Sequence, residues 1–106
     1  MLKRAKRRYL ALEIDSQVPI SSQRFMDALW TQVTRLYGEY GASRTGLALI
    51  DYDEERRFVI ARVALQALDI VRTALAAITT IDGKPAAIHV ITVSGTIRSL
   101  CKKTNG

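Results

Sequence analysis

The chain has 106 residues, a mass of 11.8 kDa and a formal charge of +6, which leaves room for a single domain, residues 1–106, with one ordinary core. At 48% hydrophobic and 25% charged residues it reads as a soluble globular chain, with no apolar run near the ~18 residues of a membrane span and no secretory signal in its basic first eight residues. A single cysteine, Cys101, excludes an internal disulfide framework and fits a cytoplasmic location, and one histidine beside it leaves no zinc cluster.

Arg8–Asp15 (RYLALEID) alternates apolar and polar residues, the pattern of a strand with Leu10, Leu12 and Ile14 on one face. Pro19 interrupts regular structure. Ser21 or Ser22 then caps a helix near 22–40 whose apolar positions, Phe25, Met26, Leu29, Trp30, Val33, Leu36, Tyr37 and Tyr40, step by three and four. Gly41 is the expected stop. A second strand is expected near 47–52 and a third over 57–64 (RFVIARVA), with Asp53–Arg56 as a polar hairpin connection.

Leu65, Leu68, Val71, Leu75 and Ile78 mark a second helix near 65–80, ended by Asp82-Gly83-Lys84-Pro85. Ala86–Val93 (AAIHVITV) is a fourth, β-branched strand. After Ser94-Gly95-Thr96, residues Thr96–Lys103 can form a short basic helix. The order β-α-β-β-α-β defines an α+β fold of the ferredoxin-like, RRM-like kind. It has a four-stranded antiparallel sheet, two long helices on one face and the short C-terminal helix.

Strand three is apolar on both faces whichever way it turns. If Val59, Ala61 and Val63 face the helices, then Phe58, Ile60 and Arg62 lie on the supposedly open face. That face therefore needs a cover, either the C-terminal helix or a protein partner.

The charge is divided unevenly along the chain. Residues 1–8 carry Lys3, Arg4, Lys6, Arg7 and Arg8, and residues 96–106 carry Arg98, Lys102 and Lys103, neither with an acid. The ends hold +5 and +3, so residues 9–95 sum to −2. Segregated basicity of this kind points to a polyanion contact, against the simpler reading of solubilising tails. The Ser94-Gly95-Thr96 turn adds possible geometry: Gly95 permits a sharp turn, and Ser94 or Thr96 can cap a helix whose free N–H groups meet a phosphate.

Side-chain catalysis has little support. His89 has no partner at triad spacing, and Cys101 has no base nearby in sequence and fits a small packing role. The acids Asp51, Asp53, Glu54 and Glu55 would suit a metal-dependent nuclease, but they coincide with a hairpin turn, where aspartate is ordinary chemistry. No glycine arrangement matches a nucleotide-binding loop. An oligomerisation module unrelated to RNA remains a further alternative.

The segment TVSGTIRSLCKK (Thr92–Lys103) resembles the C-terminal signature of the component 2 family of archaeal ribonuclease P proteins, which has a eukaryotic ribonuclease P/MRP counterpart. KRRYLALEI (Lys6–Ile14) is similar to that family's first strand, and the stretch from Gly38 through the hairpin to IARV (Ile60–Val63) to its middle. The resemblance implies a subunit of the tRNA 5′-maturation endoribonuclease whose catalytic centre, with its Mg²⁺, belongs to the RNA, so this chain holds no cofactor. It also implies contact with ribonuclease P RNA, indirect contact with precursor tRNA, pairing with protein component 3, and self-association within a heterotetramer. On these grounds Lys3, Arg4, Lys6, Arg7, Arg8, Ser94, Gly95, Thr96, Arg98, Lys102 and Lys103 are the expected RNA contacts. Phe58, Ile60 and Arg62 are the expected partner interface.

Overall fold

In the computed structural model, which describes residues 6–95, the alternating segment forms β1 (Arg7–Ser16) at the centre of the sheet. It pairs antiparallel with β3 (Phe58–Ala64) on one side and with β5 (Lys84–Ser94) on the other. The edges are β2 (Ala48–Asp53), beside β3, and β4 (Thr80–Ile81), beside β5, in the order β2-β3-β1-β5-β4. Two helices, α1 (Ser22–Ser43) and α2 (Leu68–Ala77), complete an α+β fold.

The expected sheet was one strand short. Thr80 and Ile81 pair with Pro85 and Lys84 through a two-residue turn, in which Asp82 and Gly83 have φ of 55° and 78°. Successive positive φ values suit Asp-Gly, whose twist matches that of a hairpin. The Asp-Gly pair that reads as a helix stop is therefore a hairpin turn. The C-terminal helix expected over 96–103 lies outside the described residues.

The helices pack on one face. Leu10, Leu12 and Ile14 of β1, Val59, Ala61 and Val63 of β3, and Ile88 of β5 form one core with Phe25, Leu29 and Val33 of α1 and Val71, Ala74 and Leu75 of α2. Each large apolar side chain fully buried here contributes roughly 1.5–3 kcal/mol. Ser21 caps α1, its Oγ accepting from the Arg24 N–H at 3.3 Å. Tyr52 closes the core from β2, its ring 5.9 Å from that of Phe25 and its hydroxyl donating to the Ile20 carbonyl.

Three expectations for the helices need correction. Gly41 does not stop α1, which runs to Ser43; the break falls at Gly38, with φ 77° and ψ 170°. Leu36, Tyr37 and Tyr40 do not join the core but stand exposed. The second helix begins late: Leu65–Ala67 is a 3-10 turn, Ala67 has φ −102° and ψ 4°, and no side chain caps α2 at Leu68.

The third strand also starts one residue late. Arg57 sits in the hairpin turn with φ 57°, and its guanidinium donates to the Ser16 carbonyl across the turn. No helix among the described residues is long and apolar enough to cross a membrane.

Candidate nucleic-acid interface

Because β1 and β5 run antiparallel, the start of one lies beside the end of the other. Tyr9 opposes Ser94 on β5 and Arg62 on β3, so three strands contribute to one end of the sheet. Lys6 and Arg7 are exposed there, and Arg8 is half-buried. The run is anchored at its base: the Lys6 carbonyl accepts from the Leu65 N–H at 2.8 Å, and Arg8 Nη1 donates to the Arg7 carbonyl at 3.0 Å. Ser94 is buried.

Gly95 is the last described residue of the expected turn. Its backbone does not enter the left-handed region, so the turn does not require glycine; a Cβ there would instead meet Arg8 Nη1 at 3.5 Å. Gly95 thus lies near the Arg8 guanidinium. Lys3, Arg4, Thr96, Arg98, Lys102 and Lys103 lie outside the described residues, as does Cys101.

Arg62 belongs to this end as much as to a partner surface. It shares the face of Phe58 and Ile60 but stands opposite Tyr9, and its buried Nε has no hydrogen-bond partner among the described residues. Among the described residues no ion pair involves Lys6, Arg7, Arg8 or Arg62. Their uncompensated charge is what a phosphate backbone neutralises. Strand alternation in RYLALEID already placed Tyr9 on this face, but nothing in the sequence set it against Arg62.

The face away from the helices has a second pole. Val59, Ala61 and Val63 turn toward the helices, which leaves Phe58, Ile60 and Arg62 opposite, with Ala11 and Ile60 buried at the centre and Tyr9 and Phe58 packed against them. Beyond this apolar centre, Glu13 opposes Phe58, while Asp51 and Asp53 on β2 oppose Ile60 and Phe58. The face runs from basic through apolar to acidic.

The acids have local work. Asp53 Oδ1 accepts from the Arg56 N–H at 3.0 Å, and Asp51 Oδ1 accepts from the Tyr52 N–H at 2.9 Å. Glu54 and Glu55 are exposed in the turn. No three of His, Cys, Asp and Glu among the described residues come together so as to hold a metal ion. His89 is exposed on β5, its Nε2 3.9 Å from Asp15 Oδ2. Burial, with the Glu54 carboxylate adding to it, pushes the Tyr52 hydroxyl up to about 12.

Comparison with known proteins adds a family to this geometry. Residues 8–105 match the model of the Rpp14/Pop5 family. The chain is 31% identical over 100 residues to ribonuclease P protein component 2 of Methanosarcina barkeri, covering 94% of this chain and 73% of that one. It is 32% and 33% identical over 100 residues to the proteins of the same name from Pyrococcus furiosus and Pyrococcus abyssi, covering 83% and 85% of those chains. A chain in the cryo-EM structure of yeast ribonuclease MRP has a similar fold, with a TM-score of 0.74 at 17% identity, over 99% of this chain and 92% of that one.

Proposed function

This chain belongs to the Rpp14/Pop5 family, and from that premise we propose that it is a non-catalytic protein subunit of ribonuclease P, the ribonucleoprotein that removes the 5′ leader of precursor tRNA. The observation that carries the RNA-binding part is the antiparallel pairing of β1 with β5, which sets Tyr9 opposite Ser94 and puts the basic start of the chain at the same end of the sheet as the residues that lead into the second basic segment. Lys3, Arg4, Lys6, Arg7 and Arg8 then act with Ser94, Gly95, Thr96, Arg98, Lys102 and Lys103 as one cationic surface for the catalytic RNA. Such a surface positions a phosphate backbone and reads little sequence. Precursor tRNA is met only through that RNA.

The protein partner, component 3, meets the sheet face that carries Phe58, Ile60 and Arg62, and two such pairs associate through this chain. The apolar character of β3 on both faces supports that reading. Cleavage belongs to the RNA and its Mg²⁺, and this chain holds no cofactor of its own. The test is reconstitution. Added to ribonuclease P RNA and the partner protein, the chain raises precursor-tRNA cleavage, while alone with Mg²⁺ it cuts nothing. Cleavage by the purified chain without RNA would replace this reading with the metal-dependent nuclease built on Asp51, Asp53, Glu54 and Glu55.

A further inference from the structure

The far end of α1 carries side chains that the core does not absorb. Tyr40 is 72% exposed, and Leu36 and Tyr37 are exposed just before it in the helix. The guanidinium carbon of Arg44 lies 4.6 Å from the centre of the Tyr40 ring. A ring with a guanidinium over one face stays this exposed only where its other face is open.

The arrangement is held in place from several sides. The break at Gly38 brings the last segment so close to Tyr37 that a Cβ on Gly41 would stand 2.9 Å from Tyr37 Cβ. Ser43 Oγ donates to the Tyr40 carbonyl at 2.7 Å, and Thr45 Oγ1 to the Ala42 carbonyl at 2.9 Å. The Arg44 N–H donates to the Gly41 carbonyl at 3.2 Å. Beyond the helix, the Thr45 carbonyl accepts from the Ala64 N–H at 2.8 Å, and Ala64 is paired with Arg7. The helix end that carries Tyr40 and Arg44 therefore belongs to the basic end of the sheet.

We propose that Tyr40 and Arg44 form a single-nucleotide site on that surface, where an unpaired base of the RNA stacks on the Tyr40 ring and Arg44 holds the adjoining phosphate. A guanidinium suits both tasks, because its plane lies on an aromatic face while its N–H edge donates outward. Charge favours RNA over a protein as the occupant. Arg44 has no ion pair among the described residues, and it joins Lys6, Arg7 and Arg8 at this end. Residues 35–44 hold two cations, Arg35 and Arg44, against one acid, Glu39. An apolar protein surface seated here would bury unpaired cations at a cost that a phosphate removes. Every base has a π face, so the site takes unpaired RNA with little regard to sequence. The inference rests on the RNA-binding reading and adds to it a contact with a base, which a phosphate surface alone lacks.

Tyr40→Leu removes the ring and keeps both the charge and the apolar bulk, at a position outside the core. In the folded full chain, checked by circular dichroism, it should weaken binding to ribonuclease P RNA roughly tenfold with an unchanged salt slope, as one lost base stack would. Tyr40→Phe keeps the ring and should stay within about twofold of the unsubstituted chain. Arg44→Ala should lower affinity and also the slope, by about 0.7 for a contact with a single strand. Binding indifferent to Tyr40→Leu, equal losses in Tyr40→Leu and Tyr40→Phe, or an unchanged slope in Arg44→Ala overturns the inference. So does a Tyr40→Leu chain that binds RNA normally but no longer associates with itself or with the partner protein, which would make this helix end a protein interface. Failure of the unsubstituted chain to bind the RNA is a separate result, which removes the RNA-binding reading and this site with it.

Discussion

The guanidinium of Arg8 lies 3.5 Å from where a side chain on Gly95 would begin. The start of β1 and the end of β5, almost the whole chain apart in sequence, are thereby neighbours at the basic end. A Cβ at Gly95 would sit in ordinary van der Waals contact with the Arg8 guanidinium, so the larger branches of a valine there crowd it without altering the charge. We expect Gly95→Val to weaken binding to ribonuclease P RNA several-fold with an unchanged salt slope. Arg8→Ala should lower the slope by about 0.7–0.9, because one phosphate is no longer neutralised. Filter binding across a salt series, with folding checked by circular dichroism, separates the two.

The acidic residues and His89 are expected to matter little to cleavage. Asp51 and Asp53 serve local backbone N–H groups, and His89 faces solvent beside Asp15. Asp51→Asn, Asp53→Asn and His89→Ala should each leave reconstituted precursor-tRNA cleavage within a few-fold of the unsubstituted chain. Loss of several orders of magnitude in a folded variant would assign that residue to the chemistry.

How much of this was legible before the fold was known depends on the element. Strong alternation in β1 and the helical stepping of Phe25, Leu29 and Val33 located the sheet centre and the main helix within a few residues. The continuation of that stepping to Leu36, Tyr37 and Tyr40 misled, because periodicity marks a face but not whether a neighbour lies over it. Asp82-Gly83 carried a hairpin signal that the adjacent helix pattern masked. The placing of Ser94 beside Tyr9 at one end of the sheet followed from antiparallel pairing alone. The place of Arg62 opposite Tyr9 needed a register, and no single strand encodes one.

Tyr52 ties stability to alkaline pH. Its hydroxyl is pushed up to about 12 in the folded chain, by burial first and by the Glu54 carboxylate second, against about 10 for an unburied tyrosine. The folded state therefore keeps a proton that the unfolded state loses. Its contribution is whole below about pH 10 and falls away as pH rises toward about 12. Between these limits the unsubstituted chain should lose stability faster than Tyr52→Phe. Absorbance near 295 nm should lack its latest-titrating tyrosine in that variant.

Gly38 is a conformational requirement without a steric one. Its φ of 77° and ψ of 170° are essentially closed to other residues, yet among the described residues outside its chain neighbours and its own helix backbone nothing lies within 4 Å of a Cβ built there. Gly38→Ala should therefore destabilise by about 1–3 kcal/mol through backbone strain alone. Urea unfolding reads the loss as a lower midpoint with an unchanged slope.

The central claim is that the two ends act as one phosphate-binding surface, and salt dependence tests it most directly. Lys3, Arg4, Lys6 and Arg7 are replaced together by alanine, and binding to ribonuclease P RNA is measured from low to high salt against the unsubstituted chain. The account predicts weaker binding at every salt concentration and a log–log slope shallower by about 0.7–0.9 for each phosphate that the variant no longer neutralises. An unchanged affinity and slope in a folded variant would contradict it and leave the basic ends as solubilising tails.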